Sequence, residues 1–242
     1  MTDFIVTTSW DDGHPLDLKL AEILDQYNLT GSFYVAPSNS ERQCIYSTEL
    51  REIAEKFEIG AHTLTHSVLN ELDDITLNYE IRAGKEYLET IIGKAVTTFS
   101  YPKGIFNQKV KQAVIDAGFI GARTTERFCL GRPEDLFMIP TTMIALQHPI
   151  YIQLGHVIRR KNWQGLVDFL QIGVNKSWVD IACSFFEKFL QRGGIYHLWG
   201  HSWEIEEHNL WDDLRQVFKI ISHHKNVTYL TNSELITKLI QK

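Results

Sequence analysis

The sequence alternates between two apolar patterns along almost its whole length. Short runs rich in β-branched and aromatic residues predict buried strands, and most segments between them carry apolar residues at helical spacing. The predicted strands cover residues 5–10, 31–36, 58–63, 96–101, 119–124, 137–144, 195–200 and 227–230. Strands that alternate with helices pair in parallel. The pattern therefore predicts an α/β fold, specifically a closed or partly closed (β/α) barrel of seven to eight mostly parallel strands.

The length of the chain favours one domain. With 242 residues, of which 44% are apolar, the chain can bury one core of barrel size. Between about residues 147 and 192 the strand pattern gives way to helical segments, and it resumes at about residue 195. We interpret 147–192 as a mainly helical insertion within a single domain that spans residues 1–242.

The net charge and the cysteine content limit which binding partners and which cellular compartment are expected. A net charge of -6 and the lack of a long basic run argue against nucleic acid as a partner. The three cysteines are far apart and predict a reducing compartment. Neither a signal peptide nor an apolar stretch of roughly 18 residues, the length of a membrane span, is recognisable. We therefore expect a cytoplasmic protein without a membrane span, for which peripheral contact with a lipid-linked substrate stays open and the oligomeric state is undetermined.

Two adjacent carboxylates, Asp11 and Asp12, follow the first predicted strand and precede Gly13. Taken alone, they are typical of a strand followed by an Asp-Gly turn. In parallel α/β folds, however, ligands bind at the carboxyl ends of the strands. Neighbouring side chains on an extended chain point to opposite sides. We therefore expect different roles for the two, one in binding a metal and the other in proton transfer.

Histidines His62 and His66 straddle the end of the third predicted strand and a predicted turn, so that both can bind one metal ion. The pair His197 and His201 has the same spacing but begins inside a predicted strand, where four residues span about 13 Å. Two histidines and one of the acidic pair form a three-ligand set with open coordination positions. Such a set suits zinc or a similar divalent ion that holds a water, and it leaves one carboxylate as a candidate general base.

Two motifs resemble those of the polysaccharide deacetylase family (carbohydrate esterase family 4). Residues 9–13, Ser-Trp-Asp-Asp-Gly, resemble its first motif, usually T-F-D-D-G, and residues 62–66, His-Thr-Leu-Thr-His, resemble its second, H-[ST]-x-x-H. The resemblance is good over roughly residues 5–124 and returns weakly near 195–236. It implies a distorted, often seven-stranded (β/α) barrel that binds a carbohydrate substrate.

The resemblance also implies roles for the four motif residues. Asp11 corresponds to the catalytic base, and the metal ligands correspond to Asp12, His62 and His66. The implied cofactor is one divalent ion, for which we expect zinc, with cobalt, nickel and manganese as alternatives.

The third motif departs from the family pattern. The family has R-x-P-Y-G where residues 100–104 are Ser-Tyr-Pro-Lys-Gly, so Ser100 replaces the arginine that orients the base. The family's backbone after the proline helps to bind the oxyanion, and Pro102 and Gly104 preserve that loop. We expect Tyr101, Pro102 and Gly104 to contribute to substrate binding.

Arg123, at the end of the next predicted strand, is the candidate substitute for the missing motif arginine. In a barrel it is close enough to reach the same centre, so we predict a guanidinium contact to Asp11. The alternative is a surface arginine at the start of a loop.

The last motif of the family, resembling L-x-L-H, supplies a histidine that acts as general acid. His201, at the end of a predicted strand, is the candidate for this role, and His197, deeper in the strand, is predicted to be a core residue. Trp199 and Trp203 are candidates for an apolar wall around an acetyl methyl group or for stacking on a sugar ring, and we expect at least one of them to pack in the core.

The sequence thus predicts a metal-dependent hydrolase that removes an N-acetyl or another small N-acyl group from an amino sugar. A cytoplasmic location favours a nucleotide-linked or lipid-linked glycan precursor over a finished wall polymer. Two alternatives stay open. One is a formamide or non-sugar amidohydrolase on the same fold, and the other is a catalytically inactive carbohydrate-binding protein.

Overall fold

The computed structural model describes residues 3–149, 151, 162–174 and 176–241. The strands of these residues are β1 (Phe4–Asp12), β2 (Ser32–Val35), β3 (Glu58–Ala61), β4 (Thr98–Ser100), β5 (Gly121–Arg123), β6 (Met143–Ile144), β7 (Gly194–Gly200) and β8 (Thr228–Tyr229). The helices are α1 (Asp17–Gln26), α2 (Ser47–Lys56), α3 (Asp74–Ile92), α4 (Gln108–Asp116), α5 (Trp163–Ile172), α6 (Trp178–Arg192), α7 (Ser202–Glu207), α8 (Trp211–Ile221) and α9 (Asn232–Ile240). Short 3-10 turns cover Leu69–Glu71 and Pro102–Gly104.

Seven parallel strands form a curled half-barrel in the order β5-β4-β3-β2-β1-β7-β6. β1 lies near the middle, paired with β7 on one side along most of its length. On its other side it pairs with β8 at Ile5 and Val6, and with β2 from Ser9 to Asp12. The predicted fold class is confirmed, since a parallel sheet curled in this way is the distorted (β/α) barrel expected from the alternation.

The segment 136–145 spans the opening between β5 and β7. Its first part pairs with β5, where the amide of Ile139 donates to the carbonyl of Ala122 at 2.9 Å. Its last part pairs with β7, where the amide of Ala145 donates to the carbonyl of Trp199 at 2.8 Å. Pro140 lacks an N–H group and lies where the chain changes partner. The predicted strand 137–144 is therefore wrong in extent, and only Met143–Ile144 forms a strand.

Helix α3 shows how local signals set the ends of an element that supports the site. The side chain of Asp73 accepts hydrogen bonds from the amides of Ile75 and Thr76, which caps the first turn. Gly93 ends the helix in the left-handed region at φ 68°, as the sequence predicts for a glycine at this place. The buried side of the helix packs against α2, β3 and α4.

Within the predicted insertion, the described residues include helices α5 and α6. They pack on the barrel through aromatic side chains, with Phe128 stacked on both Phe169 and Phe185 at centroid distances of 4.7 and 5.0 Å. Residues 150, 152–161 and 175 of the insertion lie outside the described residues. The single-domain organisation stays a prediction. Among the described helices, none has the length and apolar character needed to cross a membrane.

Candidate active site

The polar residues that the sequence singles out come together at one edge of the sheet. Asp11 and Asp12 end β1, His62 follows β3, Arg123 ends β5 and His201 follows β7. All these strands run in parallel, so their carboxyl ends meet at the same edge. The fold thus gathers in space residues that are up to 190 positions apart in the sequence.

Asp12, His62 and His66 form a compact set of donor atoms. One ligand atom from each lies within 4.8 Å of the other two. Oδ1 of Asp12 is 3.2 Å from Nε2 of His66 and 3.7 Å from Nε2 of His62, and this buried oxygen has no hydrogen-bond partner among the described residues. A buried carboxylate oxygen without a partner, facing two imidazole nitrogens, fits a divalent cation.

The second ring nitrogen of His62 fixes its orientation. Nδ1 lies 2.7 Å from the carbonyl oxygen of Ser100, which accepts a hydrogen bond from Nδ1–H and leaves the Nε2 lone pair for a ligand. Burial lowers the pKa of His62 to about 4. The ring is therefore neutral at physiological pH, the form in which imidazole binds metals.

The loop that carries the two histidines has an unusual backbone. Thr63 and His66 have φ values of 66° and 59°, a region that residues other than glycine adopt rarely, and Asp12 at the end of β1 lies in the same region at 82°. Such conformations persist where surrounding contacts hold them in place. Sequence reasoning predicts a turn at this place but not its conformation.

Helix α3 supplies those contacts. The buried carboxylate of Glu80 accepts hydrogen bonds from the amides of Leu64 and Thr65 at 3.1 and 2.9 Å, and from the hydroxyl of Thr65 at 2.8 Å. Gly84 lets the loop approach closely, since a Cβ there would lie 2.7 Å from the carbonyl carbon of Thr63. Glu80 is a functional candidate that sequence reasoning missed, because a glutamate in an amphipathic helix gives no distinguishing signal.

Arg123 contacts Asp11, as predicted. Nη2 of Arg123 donates to Oδ2 of Asp11, and also to Oγ of Ser100 at 2.7 Å. The side chain is buried, with its guanidinium carbon 4.6 Å from the ring centroid of Trp199. The alternative of a surface arginine is therefore wrong. Ser100 adds a hydroxyl at the position of the missing motif arginine, and whether Arg123 assumes that arginine's role in catalysis stays a prediction.

Opposing effects set the charge of Asp11. Burial alone would raise its pKa, but the positive charge of Arg123, with smaller contributions from His62 and His201, lowers the pKa below its ordinary value. Oδ2 is occupied by Arg123, whereas the buried Oδ1 has no hydrogen-bond partner in the described part of the chain. Asp11 is thus an ionised carboxylate with one oxygen available to accept a proton.

His201 is coupled to a carboxylate that the sequence analysis did not identify. Its Nδ1 lies 2.5 Å from Oε2 of Glu204, three residues later in the first turn of α7. Burial alone would lower the pKa of His201, but the hydrogen bond to Glu204 and the charges of Asp12, Glu204 and Asp11 raise it to about 9. His201 is therefore protonated at neutral pH. The i, i+3 spacing of His201 and Glu204 is consistent with this contact, but the same spacing is common on helices and does not single it out.

His197 is a core residue, which confirms the prediction for it. It is buried, its Nε2 lies 2.8 Å from Oγ of Ser9, and burial lowers its pKa to about 3.

The structure corrects the expectation for the side chain of Tyr101. Its hydroxyl donates to the carbonyl of Phe137 at 3.1 Å, and its ring stacks on Phe106 inside the core. The physical reason is alternation along an extended chain, because Ser100 points toward Asp11 and its neighbour points away. Pro102 and Gly104 do form the expected tight turn, in which Lys103 and Gly104 have φ values of 57° and 66°.

The two tryptophans differ in their contacts. Trp199 is buried, packed with Ile144 and Leu146 and against the guanidinium of Arg123. Trp203 is not simply an apolar wall, since its indole N–H donates to Oδ2 of Asp12 at 2.8 Å. The ring of His201 contacts both indoles, with its centroid 5.4 Å from each.

This combination of fold and motifs matches known proteins. The family model described as polysaccharide deacetylase matches residues 1–122, half of the chain. The chain belongs to the polysaccharide deacetylase family. A curated relative that carries this family name, YxkH of Bacillus subtilis (strain 168), is 23% identical over 143 residues, which are 58% of this chain and 51% of the relative. This polysaccharide deacetylase family member thus spans about half the length of the curated relative it matches.

Solved structures resemble almost the whole chain. A structure from Mycobacterium smegmatis, also named for this family, has a TM-score of 0.68 at 15% identity and covers 98% of this chain and 91% of its own. The chitin deacetylase of the fungus Colletotrichum lindemuthianum has a TM-score of 0.61 at 16% identity, covering 97% and 89%. At these identities the similarity concerns the fold.

Proposed function

We propose that this family member is a metal-dependent hydrolase that removes an N-acetyl or another small N-acyl group from an amino sugar. The observation that carries the proposal is the division between two adjacent carboxylates. Oδ1 of Asp12 faces the two histidine nitrogens, while Oδ1 of Asp11 is available beside them as a proton acceptor. Membership of the deacetylase family supports hydrolysis of an acyl group.

Asp12, His62 and His66 are the proposed ligands of the metal. A divalent ion held there would act as a Lewis acid toward the amide carbonyl and would lower the pKa of a water. The ligand types suit zinc, with cobalt, nickel or manganese as alternatives. The turn at Pro102 and Gly104 supports the expected contribution of its backbone to oxyanion binding.

Proton transfer is assigned to the chain's own residues. Arg123 holds Oδ2 of Asp11, so that Oδ1 accepts the proton of the attacking water. His201, protonated because its pKa is raised to about 9, donates a proton to the departing amine nitrogen. Glu204 fixes its ring through Nδ1, so the Nε2–H is the proton that His201 can donate.

For the substrate we propose a nucleotide-linked or lipid-linked glycan precursor in the cytoplasm. Support for a reducing compartment comes from the three cysteines, Cys44, Cys129 and Cys183, all of which are free thiols.

The test compares two variants at adjacent positions. Asp11→Asn is expected to keep one equivalent of metal and to lose turnover by about 10²–10⁴-fold, since it removes only the proton acceptor. Asp12→Asn is expected to lose the metal itself. Acetate release from N-acetylated sugars and elemental analysis measure the two effects. Wild-type turnover in Asp11→Asn would overturn the assignment of the base.

The same assay separates the alternatives. Metal-replete protein that binds sugars without releasing acetate would be a carbohydrate-binding protein. Faster hydrolysis of formylated or ureido compounds than of acetylated sugars would favour another amidohydrolase activity.

A further inference from the structure

A second arginine, Arg127, is buried four residues after Arg123, the residue that contacts Asp11. It lies in the loop after β5 with a relative exposure of 6%. The surrounding backbone is fixed on both sides, because the amide of Phe128 donates to the carbonyl of Thr142 at 2.9 Å and the carbonyl of Arg127 accepts from Nδ2 of Asn162 at 2.8 Å. The backbone that carries Arg127 is thus anchored by hydrogen bonds to two other segments.

The positive charge of the Arg127 guanidinium has few partners among the described residues. Within the described ranges, its one side-chain contact of hydrogen-bond length joins Nη2 to Nε2 of His148 at 3.2 Å, and its buried Nε has no partner. No carboxylate of the described residues forms an ion pair with it. Burial lowers the pKa of Arg127 to about 10, so the group keeps its charge at neutral pH. A buried charge without a counter-ion is unfavourable unless a ligand supplies one.

Glu204 links this arginine to the catalytic centre. The charge of Glu204 acts on Arg127 and raises its pKa, so the two groups lie within electrostatic range. Glu204 is nevertheless committed to His201, whose Nδ1 is 2.5 Å away. Arg127 therefore lies within electrostatic range of the carboxylate that holds the assigned general acid, and no described carboxylate forms an ion pair with it.

A second cation flanks the same region. The guanidinium carbon of Arg42 lies 3.9 Å from the ring centroid of Trp203. Trp203 in turn packs against His201, with 5.4 Å between the ring centroids. Arg42 thus adds a positive charge beside a tryptophan that contacts the assigned general acid.

We infer that Arg127, together with His148, forms a subsite for an anionic group, a phosphate or a carboxylate, on the substrate. A planar guanidinium with available N–H groups binds such anions in a bidentate manner. The inference rests on the proposed function and deepens it, because it makes the substrate an anionic amino sugar whose charge lies near the acylated nitrogen.

The first test measures substrate preference. N-acetylglucosamine serves as the neutral substrate, its 1-phosphate as the phosphate arm and N-acetylmuramic acid as the carboxylate arm. For the preferred anion, Arg127→Leu is expected to lower the ratio of kcat/KM (anionic over neutral) at least about tenfold. Arg132→Leu, which removes an arginine charge from an exposed position, is the matched control and is expected to keep the wild-type ratio. Wild-type protein without preference for either anion overturns the inference.

The second test needs no catalysis. Inorganic phosphate is titrated into metal-free protein and followed by ³¹P NMR, so that phosphate cannot bind through a metal. Binding is expected in the wild type and in Arg132→Leu, and at least about tenfold weaker in Arg127→Leu. If no substrate is hydrolysed, the proposed function fails, and this titration alone determines whether Arg127 binds an anion. Equal binding in all three proteins identifies Arg127 as a structural arginine and overturns the inference. Arg127→Gln, which keeps a polar group, serves the same comparison if Arg127→Leu does not fold.

Discussion

Asp11 and Asp12 are neighbours in the chain but differ in what surrounds them. Asp12 faces the two histidine nitrogens and accepts from Trp203, whereas Asp11 accepts from Arg123. The alternation of side chains along β1 produces this division. It also allows one strand end to provide a metal ligand and a proton acceptor without a competing interaction between them.

Arg123→Lys tests whether the guanidinium geometry matters. Lysine keeps the charge but lacks the planar guanidinium, in which Nη1 donates to the carbonyl of Thr124 while Nη2 donates to Asp11 and Ser100. We expect kcat to fall by about tenfold or more with metal content unchanged. Steady-state kinetics and elemental analysis measure both quantities, with Arg82→Lys on the exposed side of α3 as control. A kcat equal to that of the wild type would show that positive charge alone suffices.

Glu204→Gln tests the coupling to His201 through pH. Glu204 helps to raise the pKa of His201 to about 9, so the protonated acid is present below that pH and is lost as pH rises through it. Removing the negative charge lowers this pKa, and we expect the alkaline limb of kcat/KM to move to lower pH. Profiles of kcat/KM against pH, measured between about pH 6 and 10 for the wild type and for Glu204→Gln, test this. An alkaline limb at the same pH in the wild type and in Glu204→Gln would show that Glu204 does not set the pKa of the general acid.

At the residue scale, the site was predictable where identity and spacing carry the chemistry. The acidic pair, the two histidines and Arg123 stand in such patterns. Glu204 was not predictable because glutamates three residues apart from a histidine are common on helices. The hydrogen bond from Trp203 to Asp12 was missed because an indole is expected to be mainly apolar.

Helix α3 determines the shape of the ligand loop although it supplies no ligand. Glu80 satisfies the amides of Leu64 and Thr65, and Gly84 allows the loop to lie against the helix. The helix itself was predictable from its apolar periodicity and its glycine end. Its contact with the loop was not, because it depends on how two distant segments pack. The left-handed conformation of Thr63 likewise opposes the preference of a β-branched residue.

Glu80→Gln is expected to weaken metal binding without touching a ligand. The substitution replaces a charged acceptor by a neutral amide, so the loop amides lose part of their hydrogen bonding. We expect metal affinity to fall by about 10–100-fold and the metal-free protein to lose about 1–3 kcal/mol of stability. Metal titration and urea unfolding measure the two effects.

Glu86→Gln, an exposed position on the same helix, controls for the substitution itself. Unchanged metal affinity in Glu80→Gln would show that the loop keeps its shape without this carboxylate.

At the scale of the whole molecule, the proposed metal joins strands that are separate in sequence. Asp12 comes from β1, and the two histidines follow β3. Binding to the folded state alone stabilises it by about 2.7 kcal/mol at a hundredfold excess over Kd. For a domain of this size, Tm rises by about 2–4 °C for each kcal/mol.

Zinc is therefore expected to raise the Tm of the wild type and not that of His62→Ala or His66→Ala, which should also lose activity. Thermal unfolding with and without zinc measures this, with the exposed His208→Ala as control. Stoichiometric metal in the His62/His66 double variant would remove the assignment.

The parallel sheet and its strand number were predictable because alternation and loop length determine both. The path by which the chain spans the opening between β5 and β7 could not be predicted from the sequence. The segment 136–145 is apolar on both sides of Thr141 and Thr142, and only its hydrogen-bond partners reveal that it leaves β5 for β7 near Pro140. Pairing partners are a property of the assembled sheet and leave little trace in local sequence.

The position of β1 between β2 and β7 has a consequence for the order of folding. β2 emerges soon after β1 during synthesis, but β7 begins only at Gly194. Until then, one edge of β1 exposes unpaired amides and carbonyls, and closing so long a loop is slow. A nascent chain that pauses before β7 therefore presents an open strand to other chains. The strand that carries Asp11 and Asp12 is synthesised before all of its partners, and it is fully paired only after β7 and β8 have followed.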